Sequence, residues 1–172
     1  MKYIAAIILL LASCFGLYHL SRSRKYQLFA PIVSHVKTDK PILALTFDDG
    51  PTQAYTQTVL DILQGKGIVA TFFVTGQQTQ GNMDLAKAIV QAGHELGNHS
   101  YSHQRMLLRS QKFIKFEIEE TDKAIRQAGH SREIYFRPPF GKKLFTLPWY
   151  LMRHQRTTVM VTLEPDTFER TA

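Results

Sequence analysis

Residues 41–51 read PILALTFDDGP. Ile42, Leu43, Leu45 and Phe47 make a compact apolar run between Pro41 and the turn-forming Asp48-Asp49-Gly50, so residues 42–47 are expected as a buried strand that ends in a turn. Downstream, residues 55–64 (YTQTVLDILQ) place Val59, Ile62 and Leu63 at helical spacing and stop at Gly65. Residues 69–74 (VATFFV) read as the next strand, 84–92 (DLAKAIVQA) as a helix ending before Gly93, and 94–98 as a short strand. A long helix is expected over about 110–128, with further strands at 134–136 and 157–163. Strand and helix alternate, which favours a parallel α/β architecture, open or closed into a barrel. In such folds functional side chains gather where strands end.

Upstream lies a different kind of segment. Residues 3–20 (YIAAIILLLASCFGLYHL) are 18 positions without Asp, Glu, Lys or Arg, close to the roughly 20 that cross a bilayer as a helix. Lys2 precedes the run and SRSRK follows it, so flanking charge does not fix its orientation. Leu11-Ala12-Ser13-Cys14 resembles a bacterial lipobox, with Cys14 as the lipidated residue; a transmembrane anchor and a cleaved signal are the other readings. The expected organisation is a membrane anchor or signal over residues 1–25, a linker over 26–40 and an α/β domain over 41–172. All three readings put that domain at or beyond a membrane, with its side left to function.

Composition narrows the classes further. The 172 residues are 44% hydrophobic and 20% charged, enough to bury a core and unlike a disordered chain. A single Cys supports neither an internal disulfide framework nor a thiolate zinc site. The net charge of +7 would suit a polyanion partner, but Lys2, Arg22, Arg24 and Lys25 supply four of those charges and leave +3 for the remainder. With the excess at the membrane end and no aromatic-basic stripe, nucleic acid is not expected as a partner.

Three groups carry the chemistry. Asp48 and Asp49 are adjacent at the end of the first expected strand, where alternation would point them to opposite faces and give them different jobs, one on a metal and one on a proton. Asp-Gly-Pro is equally ordinary turn chemistry. His99 and His103, in NHSYSH, are four apart, which on a helical turn sets two imidazoles on one face, about 5 to 6 Å between Cβ atoms. Two imidazoles and a carboxylate suit zinc, with cobalt or nickel compatible, although an isolated pair of this spacing is commonly surface decoration. Arg137-Pro138-Pro139-Phe140-Gly141 follows the expected strand at 134–136; its prolines stiffen the exit and present Arg137 where it could hold a carboxylate ionised, or simply form a surface turn.

Taken together and in this order, LTFDDGP, ATFFVTG, GHELGNHSYSH and RPPFGKKLF resemble the polysaccharide deacetylase family, the NodB-homology domain, over residues 41–168. The resemblance implies a distorted, incomplete (β/α) barrel and metal-dependent hydrolysis of N-acetyl groups on an envelope glycan such as peptidoglycan or a chitin-like polymer. By motif position it implies Asp48 as general base, Asp49, His99 and His103 as ligands of one divalent metal, zinc first. Arg137 would orient Asp48, and the backbone N–H of Phe140 would be the oxyanion donor. Residues 162–168 (TLEPDTF) resemble one form of the family's fourth motif, with Asp166 as candidate partner of Arg137, although the Trp usual near that Asp is absent. The family's general-acid His, in a Leu-x-x-His-like motif on a late strand, has no counterpart, since the last His is His154. The expectation is therefore a domain lacking its C-terminal part, either an active deacetylase or a truncated pseudoenzyme that binds metal or glycan without turnover.

Overall fold

The computed structural model of the chain describes residues 2–164. Helix α1 (Lys2–Arg22) leads into β1 (Ile32–Val33), β2 (Thr46–Asp48), α2 (Thr56–Gly65), β3 (Thr71–Val74), α3 (Gly76–Gly81), α4 (Met83–Gln91), β4 (Glu95–Asn98), α5 (Gln111–Gln127), a 3-10 turn (Pro139–Gly141), α6 (Thr146–Arg153) and β5 (Thr158–Val159). β2, β3 and β4 pair in parallel in that order, with Asp48 opposite Phe73 and Val74 opposite Asn98. β1 pairs in parallel with β5. Single parallel bridges from Phe136 to Asn98 and to Thr158 join the two sheets. The result is the α/β fold expected, an incomplete barrel whose sheets stay open.

Two apolar cores hold the helices to the strands. One gathers Leu60, Leu63, Phe72, Val74, Ile89, Leu96, Ile125 and Ile134; the other gathers Met106, Ile114, Ile118, Phe136, Leu147 and Leu151. α5 serves both, because Ile114, Ile118 and Ile125 recur at helical spacing along its buried face. Each such side chain contributes about 1.5–3 kcal/mol when fully buried. α5 begins at Ser110, whose hydroxyl accepts from the N–H of Phe113 at 3.2 Å, and stops before Gly129 at φ 95°.

Several expected elements are shorter than the sequence suggests. The strand expected over 42–47 forms only over Thr46–Asp48, and Ile42 and Leu43 are 69% and 84% exposed. Among the described residues β2 has a neighbour on one side alone, and its ladder with β3 begins at the Leu45 carbonyl, which accepts from the Thr71 N–H at 3.1 Å. The strand expected over 134–136 reduces to the bridge at Phe136, because Pro138 and Pro139 withhold the next donors. Residues 157–163 pair only at Thr158–Val159. Two helices carry no expectation from the sequence: α3 is almost wholly polar, and α6 has Pro148 in its first turn. Within the stretch expected as a linker, residues 26–40, Ala30 enters the second core and Ile32 and Val33 form β1.

Candidate metal centre

The carboxyl ends of β2, β4 and the Phe136 bridge lie at one edge of the sheet, with β3 between β2 and β4, and Asp48 and Asp49, His99 and His103, and Arg137 follow them into the same cleft. Asp48 closes β2. Asp49 then turns back at φ 72°, in the left-handed region that Asp tolerates better than most residues. That turn overrides strand alternation: both carboxylates approach His99 Nε2, Asp48 Oδ2 at 3.8 Å and Asp49 Oδ1 at 3.5 Å, so the expected opposite faces are not what forms.

His99 and His103 do converge, their ring centroids 5.0 Å apart, but through a loop rather than a helical turn. Ser100 and His103 have φ of 67° and 54°, and Ser100 N–H donates to Asn98 Oδ1 at 2.8 Å. The loop is fastened from α5. Glu117, buried, accepts from the N–H groups of Tyr101 and Ser102, both at 2.9 Å, and from the Ser102 hydroxyl at 2.6 Å. Asn98 Nδ2 donates to the Ile118 carbonyl at 2.9 Å and to Asp122 Oδ1 at 2.7 Å. Glu117 and Asn98 are the residues that sequence reasoning passed over. Glu117 falls on the apolar face of an otherwise amphipathic α5, and a charge on that face was the available signal.

Asp49 Oδ1 lies 3.1 Å from His103 Nε2, and the donor atoms of Asp49, His99 and His103 all lie within 4.8 Å of one another. Around a tetrahedral zinc, with bonds of about 2.0–2.2 Å, neighbouring ligand atoms stand about 3.4 Å apart, so the donor set fits such an ion. His99 is prepared for it. Its Nδ1–H donates to the Arg137 carbonyl at 2.8 Å, which leaves Nε2 as the lone-pair nitrogen facing the carboxylates. Burial pushes the His99 imidazole pKa below its usual 6.5, against the opposing pull of Asp48, and so favours the neutral, ligating form.

Asp48 faces Arg137 with its other oxygen. Arg137 Nη1 lies 2.5 Å from Asp48 Oδ1 and 2.9 Å from Thr46 Oγ1, Nε reaches the Val159 carbonyl at 3.3 Å, and the guanidinium sits 3.8 Å from the Phe73 ring centroid. Burial lowers the Arg137 pKa while Asp48 opposes that shift. On the open side, Phe140 adopts φ 58°, its ring 4.8 Å from that of His103, and its N–H finds no acceptor among the described residues. Asp166, the candidate partner of Arg137, lies outside the described residues.

The family model for polysaccharide deacetylase matches residues 35–159. The chain belongs to that family. It is 39% identical over 111 residues to a peptidoglycan-N-acetylglucosamine deacetylase of Listeria monocytogenes, covering 64% of this chain and 24% of the relative. Among solved structures, a family 4 carbohydrate esterase from Streptomyces lividans, in complex with acetate, superposes with a TM-score of 0.65 at 39% identity, over 69% of this chain and 61% of that one. A family 4 pseudoenzyme from Bacillus anthracis superposes with a TM-score of 0.69 at 31% identity, over 77% of this chain and 47% of that one. The chain spans about a quarter to two-fifths of the length of the first curated relatives it matches.

Proposed function

We propose that this polysaccharide deacetylase domain is a metal-dependent hydrolase of N-acetyl groups on an envelope glycan, peptidoglycan or a chitin-like polymer of N-acetylglucosamine. The observation that carries the reading is one cleft that holds both a three-donor cluster, Asp49, His99 and His103, and a separate carboxylate, Asp48, tied to a buried arginine. A divalent ion bound there, zinc first and cobalt or nickel compatible, would supply Lewis acidity toward the acetyl carbonyl and toward water.

The remaining chemistry belongs to the chain. Asp48 takes a proton from the attacking water, and Arg137 keeps that carboxylate aimed, because Oδ1 is occupied by the guanidinium and Oδ2 is left for the proton. As the carbonyl carbon becomes tetrahedral, the Phe140 N–H, without an acceptor among the described residues, donates to the developing oxyanion. The departing nitrogen must be protonated before the C–N bond breaks, and among the described residues Asp48, now protonated, is the group in position to return the proton. Residues 3–20 would anchor this domain at the membrane, as a transmembrane helix or through lipid on Cys14, with the cleft on the extracytoplasmic side.

A second reading, binding without turnover, is favoured by the likeness to a family 4 pseudoenzyme. Acetate release from an N-acetylglucosamine oligomer by the zinc-loaded full chain separates the two: release that disappears in Asp48→Ala supports the hydrolase, and no release from the zinc-loaded wild type supports the binder.

A further inference from the structure

α1 does not hang from the domain on a free segment. Ser21 is buried, its carbonyl accepts from the Lys143 backbone N–H at 2.9 Å, and the Lys143 ammonium reaches the Ser23 carbonyl. A lysine on the carbonyl end of a helix is a C-terminal cap favoured by the helix dipole. Here the cap is internal, since Lys143 is itself only 1% exposed. Two more ties follow: Arg24 pairs with Glu164 at 2.9 Å, and Gln27 Nε2 donates to the Thr158 hydroxyl at 3.0 Å. The stretch after the apolar helix is thus built into the fold.

Geometry then sets a height. A helix of 21 residues is about 30 Å long, the thickness of the hydrocarbon layer, so its last turn arrives at headgroup level. The surface beside that turn has the composition of a membrane–water interface. Tyr26, Phe29, Phe145 and Trp149 are exposed; Tyr26 lines a depression with Tyr18 and Arg22 of the last turn, Phe29 and Trp149 meet edge to face at 5.4 Å, and Arg109 shares a second shallow depression with Phe29, Phe145 and Trp149. Lys143 is also three residues from Phe140, whose ring touches that of His103. From the reach of three residues, the metal-ligand cluster stands no more than roughly 25 Å from the end of α1.

We propose that the domain is seated on the bilayer that α1 enters, with its cleft held near the headgroups, and that its substrate is an N-acetylated glycan still carried on a membrane lipid. The substrate half rests on the deacetylase reading above. A glycan carried in the same bilayer is confined to the layer the cleft occupies, which raises its effective concentration toward the millimolar range. A free glycan gains nothing from this seat.

The test uses the full chain, zinc-loaded, in vesicles containing anionic lipid. Trp149 is the chain's single Trp and reports height directly. Nitroxide on the lipid headgroups should quench its fluorescence strongly. A Lys143→Ala variant carrying a flexible Gly/Ser insert between Ser23 and Arg24 should lose at least half of that quenching. Absent quenching in the wild type, or equal quenching in both, overturns the seat. Acetate release from an N-acetylglucosamine oligomer coupled to a vesicle lipid should exceed release from the free oligomer at least tenfold in kcat/KM, with the preference lost in the variant. Equal rates overturn the lipid-carried substrate and leave the deacetylase reading standing, whereas release from neither overturns that reading and the substrate built on it.

Discussion

Arg137 is fixed by four neighbours at once: Asp48, Thr46, the Val159 carbonyl and the Phe73 ring. A lysine cannot reproduce a planar fork laid on an aromatic ring. Arg137→Lys is therefore expected to forfeit a charge-assisted contact of about 1.5–3 kcal/mol and lower kcat by roughly 10–100-fold. Zinc content should stay at the wild-type level, because His99 is bonded to the Arg137 backbone rather than to its side chain. Glu117 predicts the opposite separation. Glu117→Ala strands the N–H groups of Tyr101 and Ser102, loosens the loop that carries His103 and should weaken zinc binding about 10–100-fold by competitive chelation; Glu117→Gln, which can still accept from both, should restore most of it. His99 gives the pH dependence. Burial holds its folded pKa below 6.5, so the unfolded chain binds a proton that the fold refuses. The metal-free protein should keep full stability from this group above about pH 6.5 and lose it as pH falls through the window below that value, with a shallower loss in His99→Gln, measured by denaturant titration.

At the scale of elements, β4 packs closely against β3 under the cleft. A Cβ at Gly97 in β4 would meet the Phe73 ring at 2.5 Å, and the Arg137 guanidinium lies over that same ring. Gly97→Ala should cost about 1–3 kcal/mol by overpacking and lower kcat along with the melting temperature, since displacing Phe73 moves Arg137. The long amphipathic helices were legible from their apolar spacing: α2, α4 and α5 form within two residues of the sequence expectation. The short parallel strands were not, because their length depends on which neighbour supplies a ladder, as Ile42 and Leu43 show by lying exposed beyond β2. Apolar periodicity is also silent about α3, a polar helix nucleated by Thr75, whose hydroxyl accepts from the Gln78 N–H. The residues of the cleft were legible from their motifs, but the way they meet was not. Asp49 and His103 reach their positions through positive φ, a backbone choice that spacing rules for helices and strands do not encode.

For the whole molecule, a metal that binds the folded chain alone must stabilise it by mass action, about 2.7 kcal/mol at a hundredfold excess over Kd. Zinc should raise the melting temperature by several degrees, a chelator should reverse the rise, and His103→Ala should abolish it. If Asp49, His99 and His103 hold the metal and Asp48 is the base, as proposed, they are separable groups in one cleft, and occupancy and turnover must come apart when Asp48 alone is altered. Zinc content and acetate release measured together on the full chain and on Asp48→Asn decide this: the wild type should hold about one zinc and release acetate, while Asp48→Asn holds the same zinc and loses at least a hundredfold in rate. Release by Asp48→Asn at the wild-type rate, or a zinc-loaded wild type that releases none, would contradict it.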